Sequence, residues 1–391
     1  MSLRRTRVAF YGGIFLPLAK YLKSDSEFDF SFFWDVGLYE KNKHGYSEDL
    51  LSMPHIFVDK FANIAQRYFP RFSRLTQKFK KYDAILVSEE GGIFARAAKR
   101  KYIFVPLGYD LSQFATKHSR VQKFLSLNRH RYSRFLREKS IKSSCFVVTT
   151  DFPVFRRAIT NLGLDNKWLK CFTPTPINWS IFDSFMTSSP DLVLDDTFRV
   201  FYPNRVLITK SDKDDETGQT KNTRLALEGY NLFRKNFEGK SKLYIIRRGS
   251  EEDLRILDEL ILDLGISNNI VWLGEESPLT SENMKNMYAY ADIVIGDLGS
   301  SWFGKTTIEA LSQGKPVIGK IEQSLVKQLN EFVGIYPAET AEEIAKILKV
   351  FGSYPENVRR KLNLDFRVTY EKHFSPIAVV NFYRTILTGL F

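Results

Sequence analysis

A chain of 391 residues, 43% of them apolar, is too long for one ordinary core and rich enough for two, so two domains are expected. The formal net charge of +12 points to a polyanionic partner (nucleic acid, an anionic membrane face or phosphorylated substrates) without choosing among them. Two cysteines, Cys145 and Cys171, and five scattered histidines argue against a disulfide framework and against a zinc site. No apolar run reaches the roughly 18 residues of a membrane span, and Met-Ser-Leu-Arg-Arg-Thr-Arg lacks a signal peptide's apolar core, so a cytoplasmic protein is expected, at most peripheral to the inner membrane face.

The chain opens on an apolar strand, Arg7–Tyr11, followed by Gly12-Gly13 and an apolar helix from about Ile14 to Leu22. Strand, glycine turn and helix form the first unit of a parallel α/β sheet. The glycines let the backbone approach a ligand closely; a plain tight turn is the other reading. Phe28–Trp34 reads as a second strand. Residues 61–81 form a basic, aromatic, helix-like region with Arg67, Arg71, Arg74, Lys78, Lys80 and Lys81, no acid, and a break at Pro70. Ala84–Val87, Tyr102–Pro106 and Phe146–Thr149 are further strands. Ser88-Glu89-Glu90-Gly91-Gly92 leads into a helix through Lys99, and Gly108-Tyr109-Asp110 follows the strand at Tyr102. Residues 117–142 are basic again, with Phe124, Leu125, Tyr132, Phe135 and Leu136 interleaved. The helix after Asp151 ends near Leu162-Gly163.

Residues 173–190, rich in Pro, Ser and Thr, read as an interdomain linker. A second alternating series follows, with strands at Phe198–Tyr202, Lys242–Ile246, Ile270–Leu273, Ile293–Ile295 and Pro316–Ile318. Its helices are expected at Asn222–Lys235, Glu251–Leu264, Ser281–Tyr290, Thr306–Gln313 and Ala341–Phe351, with a closing helix at Phe374–Leu390. The prediction is α/β: two Rossmann-like doubly wound domains facing across a cleft, residues 1–180 joined by 374–391, and residues 191–373. Ligands of open α/β sheets gather at the carboxyl ends of the strands, so that cleft is the default site.

Ala291–Gly319 reads as strand, glycine loop, short helix, turn and strand. Gly299–Thr306 fits the phosphate-loop pattern G-x-x-x-x-G-K-[ST] letter for letter. Such a loop also needs a long helix, a place on the first strand of its domain, and a later strand ending in the Asp that holds magnesium. Here Gly314-Lys315-Pro316 stops the helix early, the strands at Phe198, Lys242, Ile270 and Ile293 come first, and Pro316-Val-Ile-Gly carries no Asp. An NTPase or kinase is kept as the alternative.

The same stretch resembles the donor loop of retaining glycosyltransferases of the two-domain GT-B type, within them family 4. The family pattern E-x-F-G-x-x-x-x-E-A-x-x-x-G-x-P-V-I is met by Ser301-Trp-Phe303-Gly304-Lys305-Thr306-Thr-Ile-Glu309-Ala-Leu-Ser-Gln-Gly-Lys-Pro-Val-Ile, with Ser301 replacing the first Glu. The resemblance implies that Glu309 accepts hydrogen bonds from the donor's ribose, and that Ser301, Phe303, Gly304, Lys305 and Thr306 line the donor. Tyr202-Pro-Asn-Arg205, then Lys221-Asn222 before a helix, resembles the opening of the family's second domain. There Arg205 and Lys221 neutralise the departing diphosphate, with Lys210 as the tighter-spaced alternative. Leu243–Gly249 resembles the middle strand and glycine turn of the donor domain, and Ile270–Gly274, through Leu273, the segment whose backbone reads the base. In the first domain the resemblance rests on Gly12, Gly13, Gly91-Gly92 and Gly108-Tyr-Asp110. Many relatives carry a His near that last position, so Asp110 is the candidate for handling the donor sugar or the acceptor hydroxyl; a structural Asp is the other reading.

The implied reaction moves a sugar from a nucleotide-diphosphate donor to a hydroxyl acceptor, a glycan or lipid-linked intermediate, with retention and without cofactor or metal. The acidic run Asp212-Lys-Asp-Asp-Glu216 reads as a solvated loop. Residues 61–81 and 117–142 suit an anionic membrane surface or a lipid-linked acceptor. Helices with a charged outer face and an aromatic core face are the plainer reading. No nucleic-acid motif accompanies them, so no nucleic acid is expected. Ser301 keeps a non-catalytic nucleotide- or sugar-binding relative open.

Overall fold

A computed structural model describes residues 5–23, 25–37, 40, 48–61, 69–115, 129–185, 196–209, 220–275, 279–299, 304–322, 325 and 334–389. Lys210, Ser301, Phe303, the acidic run at 212–216 and residues 117–128 lie outside that set. The chain divides into two compact units, Met1–Pro176 with Val380–Phe391, and Ile177–Val379.

The first unit is built on seven parallel strands: β1 (Thr6–Tyr11), β2 (Phe28–Asp35), β3 (Ile56–Asp59), β4 (Ala84–Val87), β5 (Tyr102–Phe104), β6 (Phe146–Thr149) and β7 (Trp168–Lys170). They lie in the order β3-β2-β1-β4-β5-β6-β7. β1 sits between β2 and β4, with Val8 opposite Phe30 on one side and Ala84 on the other. Strands buried on both faces read as apolar runs, as β4 does: all four residues of Ala84-Ile-Leu-Val are buried. Phe10 stacks on Phe32 at 4.9 Å and meets the edge of Tyr383, so the end of the closing helix Pro376–Thr388 packs into this unit.

The second unit has six parallel strands: β8 (Phe198–Tyr202), β9 (Ser241–Ile246), β10 (Ile270–Leu273), β11 (Ile293–Ile295), β12 (Val317–Gly319) and β13 (Ile335–Pro337), ordered β10-β9-β8-β11-β12-β13. Val200, Tyr202, Tyr230, Leu243, Leu257 and Ile344 are among its core side chains. Both sheets wind outward in two directions from a switch point, between β1 and β4 in one and between β8 and β11 in the other. The carboxyl ends of those central strands are where a doubly wound sheet binds ligands.

Several elements differ from expectation. β3, β7 and β13 were not anticipated: each has three or four residues, mostly part-exposed, and β13 ends on a proline at the sheet edge. The helix Glu356–His373 is also new; only Phe366, Thr369 and Tyr370 are buried, too narrow a stripe to register as a period. The apolar run after Gly12 is a 3-10 helix, Gly13–Leu18, before it becomes α-helical, because Pro17 lacks an N–H. In the expected linker, Trp179–Phe182 is helical and packs on the second unit. Trp179 donates its indole N–H to the Phe374 carbonyl at 3.1 Å, and Phe182 meets Tyr288 edge-on.

Candidate functional site

At the switch point of the second unit the loop after β8 is fixed from several sides. The Asn204 amide donates to the Gly296 carbonyl at 2.8 Å, tying this loop to the end of β11. Asp253 accepts the backbone N–H groups of Ile208 and Thr209, both at 2.8 Å. Thr223 accepts from the Leu207 N–H, and its hydroxyl also meets the buried Tyr202 hydroxyl at 3.0 Å. Arg205 lies inside this clamped loop, yet its side chain is exposed and forms no ion pair among the described residues.

The loop after β11 closes against the start of the helix Thr223–Lys235. Asp297 accepts the Gly299 N–H at 2.9 Å with one carboxylate oxygen and the Lys221 ammonium with the other. Asn222, in the left-handed region at φ 50°, donates to the Leu298 carbonyl at 2.9 Å. Gly299 has no alternative: a Cβ there would stand 1.7 Å from the Thr220 carbonyl oxygen. The chain then enters the helix Lys305–Ser312 at Gly304, with no side-chain cap and no acid in the first turn. Its first bonds run from the Thr307 and Ile308 N–H groups to the Gly304 carbonyl, and the amides of Lys305 and Thr306 have no partner among the described residues. An exposed lysine at this end opposes the helix dipole, an arrangement that becomes favourable with an anion in front of it.

One turn further on, Glu309 receives a hydrogen bond from the buried Tyr288 hydroxyl at 3.0 Å. Burial raises its carboxyl to about 7, with Lys305 and the Tyr288 bond pulling the other way. A carboxyl whose folded-state value is raised carries a penalty that is absent below its unfolded value of about 4.5 and complete above about 7. Glu309→Gln keeps an acceptor for Tyr288 and removes that penalty. The variant is expected to gain on the order of 1 kcal/mol at pH 8 and nothing at pH 4.5. Thermal melts of both proteins across that range check it.

The geometry revises several expected roles. Lys221 does not stand free for a phosphate: it neutralises Asp297, an acid in the loop just after β11, two positions before Gly299, that was not among the expected site residues. Gly249 packs its turn against Val206, where a Cβ would lie 3.0 Å from the carbonyl oxygen. The Leu273 carbonyl accepts the Arg247 N–H at 2.9 Å and is committed to the fold.

At the switch point of the first unit, Gly12 has φ 128° and lies so close to Ser88 that a Cβ would stand 2.0 Å from its hydroxyl. A Cβ on Gly13 would stand 2.9 Å from the Trp34 ring. Asp110, expected near the chemistry, is instead a clasp. Its two oxygens accept the backbone N–H groups of Glu89, Leu107, Gly108 and Leu111 at 2.9 to 3.1 Å. With both oxygens occupied it holds the β4 and β5 loops together and has no lone pair directed at a ligand. Glu89 is the acid with spare capacity here. It sits at φ 52°, and its buried Oε2 has no hydrogen-bond partner. Burial first, then the Asp110 and Glu90 charges, raise its carboxyl to about 7.

The fold is shared with solved glycosyltransferases. HepE from Anabaena, crystallised with UDP and glucose, superposes with a TM-score of 0.63 at 15% identity, over 99% of this chain and 100% of that one. The lipopolysaccharide outer core galactosyltransferase WaaB does so with 0.61 at 14%, over 98% and 100%. Sucrose-phosphate synthase from Thermosynechococcus elongatus gives 0.62 at 13%, over 98% and 100%. Residues 216–362 match the family model for glycosyl transferases, group 1. The chain has the GT-B fold of these enzymes and carries a glycosyl transferases group 1 match over its second unit. No curated protein matches its sequence. The matched span includes Lys221, Gly299, Lys305 and Glu309, whereas Arg205 and the switch point of the first unit lie outside it. The phosphate-loop spelling at Gly299–Thr306 leads into a helix of 8 residues on the fourth strand of its sheet, and β12 ends at Gly319 without an Asp.

Proposed function

We propose that the chain is a glycosyltransferase that uses a nucleoside-diphosphate sugar, bound at the switch point of the second unit, and moves the sugar to a hydroxyl of a glycan or lipid-linked acceptor with retention and without a metal. The observation that carries the reading is the uncapped, acid-free start of the helix Lys305–Ser312, with Glu309 one turn inside it. The diphosphate meets the amides of Lys305 and Thr306 and the Lys305 ammonium. The ribose hydroxyls reach Glu309 in its ionised form. As the bond from the anomeric carbon to the diphosphate oxygen breaks, the leaving group takes the electron pair, the acceptor hydroxyl oxygen bonds to the anomeric carbon and gives its proton to the leaving diphosphate, and Arg205 stabilises the growing charge. The UDP and UDP-glucose complexes of HepE support a uridine donor.

On the acceptor side, Glu89 replaces Asp110 as the acid proposed to take a hydroxyl's hydrogen bond, because its buried oxygen lacks a partner. The basic residues of 61–81 and 117–142 suit an acceptor held at an anionic membrane surface on the cytoplasmic side.

A panel of sugar nucleotides tests the reading, with release of nucleoside diphosphate followed for each and the anomeric configuration of the product read by NMR. Turnover of one UDP-sugar without ATP hydrolysis is the expected result. ATP hydrolysis without sugar transfer supports the phosphate-loop alternative, and tight nucleotide binding with no turnover across the panel supports a non-catalytic relative. In the same assay Glu309→Gln is expected to raise the Kd for UDP roughly 10-fold at pH 8, since a neutral amide replaces a charged acceptor. That gap is expected to shrink toward pH 6, where Glu309 is itself protonated.

A further inference from the structure

The stretch 61–81 breaks at Pro70 into a 3-10 turn, Pro70–Phe72, and a short helix, Arg74–Phe79. Large aromatic side chains normally leave water when a core is available, and here Leu75 and Phe79 do. Phe69 and Phe72 do not: they are 64% and 72% exposed, Phe72 sharing with Leu262 and Ile377 the highest exposure among large apolar side chains of the described residues. Phe69 caps the start of the 3-10 turn and Phe72 is its last residue, so the two exposed rings bracket one short turn. Arg71 lies between them and Arg74 two positions beyond Phe72; no acid occurs between residues 61 and 81, and the Asp59 carboxylate stands 3.8 Å from the exposed Arg74 guanidinium.

This exposure is held in place. The Phe72 N–H bonds to the Phe69 carbonyl and the Ser73 N–H to the Pro70 carbonyl, both at 3.1 Å. The Thr76 hydroxyl donates to the Pro70 carbonyl at 2.6 Å, the Gln77 amide to the Arg71 carbonyl at 3.1 Å, and Ser73 caps the following helix. A turn fixed by its own hydrogen bonds presents the two rings without an ordering penalty on docking. The helix Gly91–Ala97 packs against this turn, against the helix Arg74–Phe79 and against the basic helix Arg129–Ser143. Both basic aromatic stretches therefore border one helix on one side of the first unit. On the second stretch Phe135 is 45% exposed, with the Lys139 ammonium 4.3 Å from its ring centre.

We infer that Phe69 and Phe72 are an insertion wedge that enters the interfacial region of an anionic bilayer, with Arg71 and Arg74 on lipid headgroups. The occupant is a membrane rather than a protein groove. The patch pairs exposed apolar rings with exposed arginines, of which Arg74 has only a solvent-exposed, long ion pair to Asp59, on a chain of net charge +12, and an anionic lipid surface complements both features together. The inference deepens the proposed use of a membrane-borne acceptor but does not need it, since vesicle binding is measured without donor or acceptor.

The test is flotation of the full chain with vesicles of phosphatidylcholine alone and with phosphatidylglycerol added. Binding is expected only to the anionic vesicles and is expected to weaken at high salt. Phe69→Ser/Phe72→Ser should lower the vesicle partition coefficient roughly 30-fold or more, with unchanged melting temperature and UDP binding. Arg71→Ala/Arg74→Ala should remove most of the preference for anionic lipid. In a Phe72→Trp variant the indole emission should shift to shorter wavelength on adding anionic vesicles. The inference is overturned if the wild-type chain does not float, if the double serine variant floats equally well, or if the same substitutions abolish RNA binding or self-association instead. Vesicle binding without sugar transfer leaves the wedge standing and removes the transfer reading; transfer to a soluble acceptor without vesicle binding does the reverse.

Discussion

Gly299→Ala should cut the affinity for UDP by about 100-fold or more and lower the melting temperature by several degrees. The added Cβ would stand 1.7 Å from the Thr220 carbonyl oxygen and 2.3 Å from its carbon, and backbone atoms cannot rotate aside as a side chain does. One of the two loops must move. Gly299 is anchored to Asp297, Asp297 holds Lys221, and Asn222 holds Leu298, so the displacement spreads across every contact that aims the chain at the helix Lys305–Ser312. Overpacking of this kind costs about 1–3 kcal/mol, and a loop moved by an ångström no longer presents its amides to a diphosphate. Gly304→Ala is the control. Its φ is −66°, and among the described residues a Cβ there meets only the Thr306 hydroxyl at 3.8 Å, so its melting temperature should stay within about 1 °C of the wild type. Differential scanning fluorimetry and calorimetric titration of UDP decide the matter. Equal UDP affinity in Gly299→Ala and wild type would mean that the loop does not approach Thr220 as described.

The alternating βα order was legible because central strands of a parallel sheet are buried on both faces and read as continuous apolar runs, as at Val8, Ala84–Val87 and Ile293–Ile295. Edge strands such as β3 and β13 lack that signature. Of the site, the chain spelled out what is local: Gly299, Lys305 and Glu309 occupy fixed positions in one short segment. What it did not spell out are pairings made by topology. Lys221 and Asp297 are 76 positions apart and meet because β8 and β11 are neighbours at the switch point. Asp110 and Glu89 illustrate the same limit in the first unit. Two acids on adjacent loops look alike as letters, yet one has both oxygens filled by backbone amides and the other has a buried oxygen with none. Which of the two is free to meet a ligand depends on where the loops of β4 and β5 come together.

Arg205 and Lys221, paired in the sequence reading as phosphate neutralisers, should separate in experiment. Arg205 is exposed, makes no ion pair among the described residues, and rests on a backbone held by Asn204, Thr223 and Asp253. Arg205→Ala therefore has little to lose in the folded state. Its melting temperature should stay within about 1 °C of the wild type, because exposed substitutions away from packing and networks change little. Its kcat should fall roughly 100- to 1,000-fold if the guanidinium meets charge that develops only as the diphosphate leaves. Lys221→Ala should lower both quantities. Asp297 is buried and would keep its Gly299 bond but lose the cation that compensates its charge. Leaving such a carboxylate unpaired costs about 2–3 kcal/mol after allowance for the partly exposed lysine, which is roughly 4–12 °C in a unit of this size. Adding Asp297→Asn to Lys221→Ala removes the stranded charge while the amide oxygen still accepts the Gly299 N–H. The double variant should therefore recover most of the melting temperature, and its nucleotide affinity should return with the loop. Lys221 then emerges as a positioning residue, and Arg205 as the group that meets the leaving diphosphate. Full activity in Arg205→Ala would remove it from that role. An unchanged melting temperature in Lys221→Ala would show that Asp297 does not depend on the lysine.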